Sequence, residues 1–193
     1  MKEPLTDLDF IEAANLLNCE VACIRAVAEV ESGKSGGFCP DDFPVTLFEG
    51  HIFYKLVGPT YAKSYSTICY EKWTKQFYGK TWQEERGRLE SAIALNRSAA
   101  LMSASWGRFQ IMGFNHGICG CVTVQQFVNK MCKSEADQLN LFVKYIIGNC
   151  LDDELRDRLW ESFAFRYNGP GWRKNDYAGK LARAYKRNGG KMV

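Results

Sequence analysis

CEVACIRAVAEVESG, residues 19–33, is the stretch of this chain around which the fold is organised. Its apolar residues recur at helical spacing, which predicts a helix from about Cys19 to Val30 with a buried face made of Val21, Ile24, Val27 and Ala28. Gly33 is expected to stop this helix, because glycine adopts the left-handed conformation that helix ends favour. Glu31 therefore falls at the C-terminal end of the helix.

Most of the chain outside this stretch also carries helical signals. Further helices are predicted, in chain order, at about Thr6–Asn18, Thr81–Asn96, a shorter one capped by Ser98, Thr123–Met131, Ser134–Asn149, Asp153–Tyr167 and Tyr177–Lys186. Gly36–Pro59 is instead rich in Gly, Pro, Asp and aromatic residues, with one candidate strand at 45–48. The fold class is therefore mainly α, with a small irregular or β lobe.

Length and composition predict one domain over residues 1–193. The chain has 193 residues, of which 46% are hydrophobic, enough for one sizeable core, and no linker divides it. The N-terminus shows no apolar segment followed by a cleavage site, and no stretch is long and apolar enough to cross a bilayer. We expect a monomer that is made in the cytosol, without a separate binding module.

Charge is unevenly distributed along the chain. The formal net charge is +3, yet seven basic residues and a single acid, Asp176, lie between Arg173 and Lys191. A solvated helix face is the simpler interpretation, and a weak contact with an anionic surface is the alternative. Nucleic-acid binding is not expected, since no helix-turn-helix, zinc-finger or RNP-like signature accompanies the basic residues.

Glu31 is the candidate general acid. A carboxylic acid can donate a proton near neutral pH only if its surroundings raise its pKa. The negative end of the helix dipole and the neighbouring apolar residues Val27 and Val30 favour such a shift, with Trp106 as a further candidate. Glu29 points to a different helix face and is the weaker candidate. A solvent-facing residue at a helix end remains the alternative for Glu31.

Two later segments suit the walls of a sugar-binding cleft. SWGRFQIM, residues 105–112, combines Trp106 and Gly107 in a turn with an amide at Gln110 that can bind sugar hydroxyl or acetamido groups. FRYNGPG, residues 165–171, places a phenol and an amide at a helix end. Core packing and an ordinary helix cap are the respective alternatives. Together with Glu31, these segments indicate a glycosidase.

The motifs, taken together, resemble those of a known family. AEVESG (28–33), LFEGH (47–51), SASWG (103–107) continuing to Asn115, and RYNGPG (166–171) are similar to the N-acetylmuramidase domain of bacteriophage endolysins, within the lysozyme-like superfamily. The resemblance covers nearly the whole chain. It implies a two-lobed, mostly helical enzyme that cleaves the β-1,4 bond between N-acetylmuramic acid and N-acetylglucosamine in peptidoglycan for host cell lysis.

The resemblance also implies a role for each matching residue. Glu31 is the general acid, and the substrate-binding cleft contains Ser105, Trp106, Gly107, Gln110, Tyr167 and Asn168. The resemblance implies no cofactor, and access to the cell wall, after synthesis in the host cytoplasm, through a holin that permeabilises the membrane. The family's Phe-Glu-Arg-His segment lacks its arginine here, where it is Phe48-Glu49-Gly50-His51.

The sequence is compatible with more than one choice of a second catalytic group. An inverting hydrolase needs a base that activates water, whereas a lytic transglycosylase can work with one acid. Glu49 is the candidate base, followed by Asp42 and Asp41, and a structural ion pair of Glu49 with His51, Lys55 or an arginine is equally compatible. A non-catalytic peptidoglycan-binding protein of the phage is the remaining alternative.

Cysteines and histidines do not form a recognisable catalytic or metal motif. The eight cysteines are expected to be reduced and buried. His116, Cys119, Cys121 and Cys132 match no standard zinc spacing, so no metal site is expected. Neither His51 nor His116 is paired with a nucleophile in a known pattern.

Overall fold

The structure, a computed structural model, describes residues 2–32 and 36–191. Its helices are α1 Asp7–Leu17, α2 Val21–Ser32, α3 Gly50–Val57, α4 Trp82–Leu95, α5 Arg97–Met102, α6 Val124–Met131, α7 Glu135–Gly148, α8 Asp152–Arg156, α9 Trp160–Asn168 and α10 Tyr177–Arg187. Its strands are β1 Thr46–Phe48, β2 Ala104–Trp106 and β3 Ile111–Met112. The predicted class, mainly α with a small β lobe, is confirmed.

A turn at Asn18 and Cys19 ends α1 and determines where α2 begins. Thr6 caps α1 in a capping box with Asp9, as the sequence predicts. Asn18 then adopts a left-handed conformation with a φ of 50°, and the Cys19 amide donates to the Ala14 carbonyl at 3.0 Å. Because Cys19 is used to end α1, α2 begins later than predicted, at Val21. The predicted stop at Gly33 lies outside the described residues.

The structure corrects two helical predictions and adds one helix. The shorter helix α5 is capped by Asn96 and not by Ser98, since the Asn96 side chain accepts from the Ala99 amide at 3.0 Å. The single helix predicted over 153–167 is divided into α8 and α9, because Arg158 has a φ of 58° and interrupts the helical path. Helix α3 was not predicted, because Gly, Pro and aromatic residues dominate its surroundings.

A small antiparallel sheet forms the second lobe. The strand order is β1-β2-β3, with Leu47 opposite Ser105 and Ser105 opposite Met112. The predicted strand is therefore confirmed as β1, whereas the turn predicted around Gly107 is the loop of the β2–β3 hairpin. Gly107 has a φ of 69°, which a residue with a Cβ rarely adopts.

The core links the hairpin to the helical lobe through aromatic contacts. The ring of Phe109, between β2 and β3, stacks on Phe142 of α7 with ring centroids 4.3 Å apart. Phe142 in turn meets Tyr167 of α9 edge-on, with centroids 6.1 Å apart, and Phe163 stacks on the same tyrosine. Both Phe142 and Phe163 are fully buried. The hairpin is thus fixed against α7 and α9 by packing.

The eight cysteines are all free thiols. Four of them are buried as predicted, namely Cys23, Cys69, Cys119 and Cys121, but Cys19, Cys39 and Cys132 are half-buried and Cys150 is exposed. The prediction that all eight cysteines are buried is therefore wrong for Cys19, Cys39, Cys132 and Cys150. Within residues 2–32 and 36–191, no helix is long and apolar enough to span a membrane.

Candidate active site

Glu31 occupies the last turn of α2, where the predicted acid was expected. The residue as a whole is half-buried, and Oε1 of its carboxyl group accepts a hydrogen bond from the Tyr177 hydroxyl. Burial raises the pKa of Glu31 from its ordinary 4.5 to about 7, because water no longer stabilises the charge, and the Tyr177 hydrogen bond opposes this shift. A group with this pKa is partly protonated at neutral pH.

Tyr177, the partner of Glu31, was missed by the sequence analysis. It is the first residue of α10, lies 146 positions further along the chain and is 6% exposed. The sequence predicted a helix starting at this tyrosine, but no local pattern indicates which side chain it contacts. Only the packing of α10 on α2 brings the two residues together.

A clamp of polar side chains joins the end of α2 to the hairpin. Arg108, in the turn of the hairpin, donates to the Ser32 hydroxyl at 2.9 Å and to the Glu135 carboxylate at 2.8 Å. Arg108 and Glu135 retain only 14% and 7% of their side-chain exposure, so this ion pair is largely shielded from water. The residue next to the candidate acid is therefore held at a fixed distance from the hairpin.

The hairpin residues predicted to bind substrate are hydrogen-bonded within the protein. The Gln110 amide accepts from the Ser105 hydroxyl at 2.7 Å and donates to the Gly107 carbonyl at 2.8 Å. Trp106 is buried, and its indole N–H donates to the Leu101 carbonyl at 3.1 Å. These internal hydrogen bonds stabilise the conformation of the turn. Direct contacts between them and a sugar stay a prediction.

Tyr167 and Asn168, also predicted to line the cleft, differ in their surroundings. The Tyr167 hydroxyl donates to the Phe109 carbonyl at 2.8 Å, which ties α9 to the hairpin. Burial, followed by the nearby charge of Glu31, raises the pKa of Tyr167. Asn168 ends α9 and is exposed to solvent. Tyr167 therefore lies near the candidate acid, and Asn168 presents an amide at the surface.

Glu49, the candidate second carboxylate, lies between β1 and α3. Both of its carboxylate oxygens accept from the Tyr78 hydroxyl, at 2.8 and 2.9 Å. Nδ1 of His51 is 3.2 Å from Oε2 of Glu49. Burial lowers the pKa of His51, and the neighbouring charge of Glu49 opposes this shift. The contact between Glu49 and His51 that the structural alternative requires is therefore present.

Glu49 is attached to one end of β2, and Arg108, which binds Ser32, follows the other end. The Glu49 amide donates to the Ser103 carbonyl at 2.9 Å, whereas the Gly107 amide, next to Arg108, donates to Val45 at 2.8 Å. Ser103 and Gly107 flank the three residues of β2, so about 13 Å of extended backbone separates them. Each carboxyl group has its own tyrosine partner, Tyr177 for Glu31 and Tyr78 for Glu49.

The two weaker candidates for a base have other partners. Asp41 forms an ion pair with Arg86, which lies over the ring of Phe43. Asp42 accepts from the backbone amide of Lys2 at 3.0 Å. These contacts fasten the loop after α2 to α4 and to the N-terminal segment.

A cavity of about 680 Å³ lies against the Arg108–Glu135 pair. Phe38 and Trp82 are among its walls, and Asp42, one of the two weaker candidates for a base, also lines it. Within the described part of the chain, no group of three or more His, Cys, Asp and Glu side chains could hold a metal ion.

Comparison with known proteins adds two findings. A family model described as Muramidase, N-acetylmuramidase, matches residues 20–189 of this chain. The crystal structure of the Burkholderia AP3 phage endolysin is similar, with 40% sequence identity and a TM-score of 0.87, and the match covers 96% of this chain and 71% of that chain. No curated protein matches the chain.

Proposed function

Because the chain belongs to the N-acetylmuramidase family, as its motifs predicted, we propose that it hydrolyses the β-1,4 bond between N-acetylmuramic acid and N-acetylglucosamine with Glu31 as general acid. At the coarser level, the chain is a peptidoglycan-degrading muramidase of the phage endolysin type.

One observation carries the assignment of Glu31. Glu31 is a half-buried residue whose carboxyl group accepts a hydrogen bond from Tyr177, and burial raises the pKa of this group to about 7. Proton donation to a glycosidic oxygen requires an acid that is still protonated at the working pH and that can give up its proton. The surroundings of Glu31 produce this property.

Glu49 is the proposed second group in this mechanism. Once Glu31 protonates the leaving oxygen, positive charge develops on the sugar ring, and a carboxylate on the other side of the ring can activate water. Hydrogen bonds from Tyr78 fix the orientation of Glu49. Its backbone amide is fixed as well, by a hydrogen bond to the Ser103 carbonyl at 2.9 Å.

The proposed substrate cleft lies along the hairpin and the end of α9. Internal hydrogen bonds of Ser105 and Gln110, with the buried Trp106, fix the turn at Gly107. Tyr167 joins this turn to α9, where Asn168 is exposed and can bind the acetamido or hydroxyl groups of a sugar. We assign Ser105, Trp106 and Gln110 a role in shaping the cleft. Asn168 is assigned a direct contact with the substrate.

The proposed function is tested by the chemical ends of the products. Purified peptidoglycan is digested, and the fragments are identified by mass spectrometry before and after borohydride reduction. Reducing N-acetylmuramic acid ends are expected. Anhydro-muramic ends would instead identify a lytic transglycosylase, and the absence of cleavage would identify a non-catalytic peptidoglycan-binding protein.

The pH dependence of cleavage is the first prediction. Activity should fall as pH rises through about 7, because Glu31 loses the proton that it must donate. Initial rates on purified peptidoglycan between pH 5 and 9, at constant ionic strength, measure this alkaline limb. Full activity maintained to pH 9 would contradict the assignment of Glu31.

The second prediction concerns Glu49. Glu49→Gln should lower the rate of cleavage by about 100-fold or more, because an amide cannot accept a proton from water. Glu90→Gln is the matched control, since Glu90 is an exposed residue of α4 whose ion pair with Arg86 lies at the surface. A Glu49→Gln enzyme as fast as the Glu90→Gln control would assign Glu49 a purely structural role.

Access to the cell wall completes the proposal. By analogy with phage endolysins, the protein is made in the host cytoplasm, acts as a monomer and reaches peptidoglycan after a holin permeabilises the membrane. The basic C-terminal helix contributes at most a weak contact with an anionic surface, because Arg183 and Arg187 are paired with Asp176 and Glu29.

A further inference from the structure

We propose that Tyr177 is a positioning residue for the reaction, whose hydroxyl holds one oxygen of the Glu31 carboxyl group so that the other oxygen faces the substrate. This inference rests on the proposed role of Glu31 as general acid. Tyr177 lies outside the sequence motifs that resemble those of the N-acetylmuramidase family.

The contact is built into the packing of α10. Asp176, just before the helix, has a φ of 47°. Its carboxylate accepts a hydrogen bond from the guanidinium of Arg183, within α10, at 2.7 Å. This turn directs Tyr177, the first residue of the helix, into the interior, where it is 6% exposed. Because a buried phenol has little rotational freedom, the carboxyl group that it binds is oriented as well.

Other polar groups near Glu31 have different partners. The Tyr167 hydroxyl, from α9, donates to the Phe109 carbonyl, and the Arg108 guanidinium is shared between Ser32 and Glu135. Glu29, on the other face of α2, is bonded to Arg187 and Asn188. Within residues 2–32 and 36–191, Tyr177 is therefore the hydrogen-bond donor to the Glu31 carboxyl group.

The bond has a defined consequence for proton transfer. Tyr177 occupies Oε1, so the transferable proton belongs on Oε2. After the proton has left, the hydroxyl donates to a carboxylate, and such charge-assisted bonds are stronger than those between neutral groups. The contact thus favours the ionised product of the transfer and opposes the effect of burial on the pKa of Glu31.

The test compares Tyr177→Phe with Tyr185→Phe over the whole pH range. Both tyrosines are buried residues of α10, but the Tyr185 hydroxyl donates to Glu20 and the Lys191 carbonyl. In Tyr177→Phe, the alkaline limb of the rate should move up by about one to two pH units, because the ionised form of Glu31 loses a charge-assisted hydrogen bond. We expect kcat to fall about tenfold or more with little change in KM. Tyr185→Phe should leave the profile unchanged.

A second variant keeps the test independent of folding. Replacing Tyr177 with 3-fluorotyrosine retains the ring and makes the hydroxyl a stronger donor, so the alkaline limb should move to lower pH. An unchanged limb in both Tyr177 variants, with Glu31→Gln inactive, would overturn the inference alone. An active Glu31→Gln enzyme would instead overturn the proposed function on which it rests.

Discussion

Glu31→Gln should reduce the rate of peptidoglycan cleavage by about 10²–10⁴-fold, the usual contribution of a general acid. Glutamine preserves the size of the side chain and an oxygen that can accept from Tyr177, but its amide N–H groups are not acidic enough to protonate the leaving oxygen. The release of soluble fragments from purified peptidoglycan measures the effect. A variant with wild-type activity would contradict the mechanism.

Glu29→Gln provides the matched control for this substitution. Glu29 belongs to the same helix, and its carboxylate binds Arg187 and Asn188 away from the site, so the variant should cleave at close to the wild-type rate. Equal losses in both variants would show that damage to α2, and not the loss of an acid, lowers the rate.

Stability measurements also distinguish the loss of an acid from damage to α2. The pKa of Glu31 is raised to about 7 in the folded protein from its ordinary 4.5, so the folded state binds more protons than the unfolded state between these values. Its contribution to stability is therefore present at low pH and is lost as pH rises through this range. Glu31→Gln should be at least as stable as the wild type at pH 8.

Phe142→Ala is expected to destabilise the protein by about 3–5 kcal/mol, the usual cost of removing a buried phenylalanine. Phe142 is fully buried and stacks on Phe109 of the hairpin with ring centroids 4.3 Å apart. Its loss leaves a cavity where the sheet meets α7. Equilibrium unfolding in urea, followed by circular dichroism, measures the free energy of unfolding.

Phe165→Ala serves as the control for this change. Phe165 is 55% exposed on α9, so its removal should alter the free energy of unfolding by less than about 0.5 kcal/mol. If Phe142→Ala were no more destabilising than this control, the hairpin would not be held by the aromatic core described above.

Local sequence patterns were sufficient to predict much of the helical framework. The apolar spacing before Glu31 gave α2, and side-chain caps gave the starts of α1 and α4, at Thr6 and Thr81. Such signals involve residues within a turn of one another, so a single sequence contains them in full. The position of Glu31 at a helix end was predicted for the same reason.

Contacts between distant segments could not be predicted in this way. The Tyr177–Glu31 bond and the Arg108–Ser32 bond join residues 146 and 76 positions apart, and they depend on how α10 and the hairpin pack. Gln110 illustrates the same limit, because its amide is suited to sugars but is hydrogen-bonded inside the turn. Residue type indicated the chemistry, whereas tertiary packing determined the partners.

The ionisation of Glu31 in the folded protein is the most direct test of the central claim. Side-chain carboxyl ¹³C shifts are recorded by NMR from pH 4 to 9, and the Glu31 signal is assigned by its disappearance in Glu31→Gln. We predict a midpoint near 7, which would leave a protonated acid available at neutral pH. A midpoint at the ordinary 4.5 would contradict the account, because the carboxyl group would then be ionised before it could act.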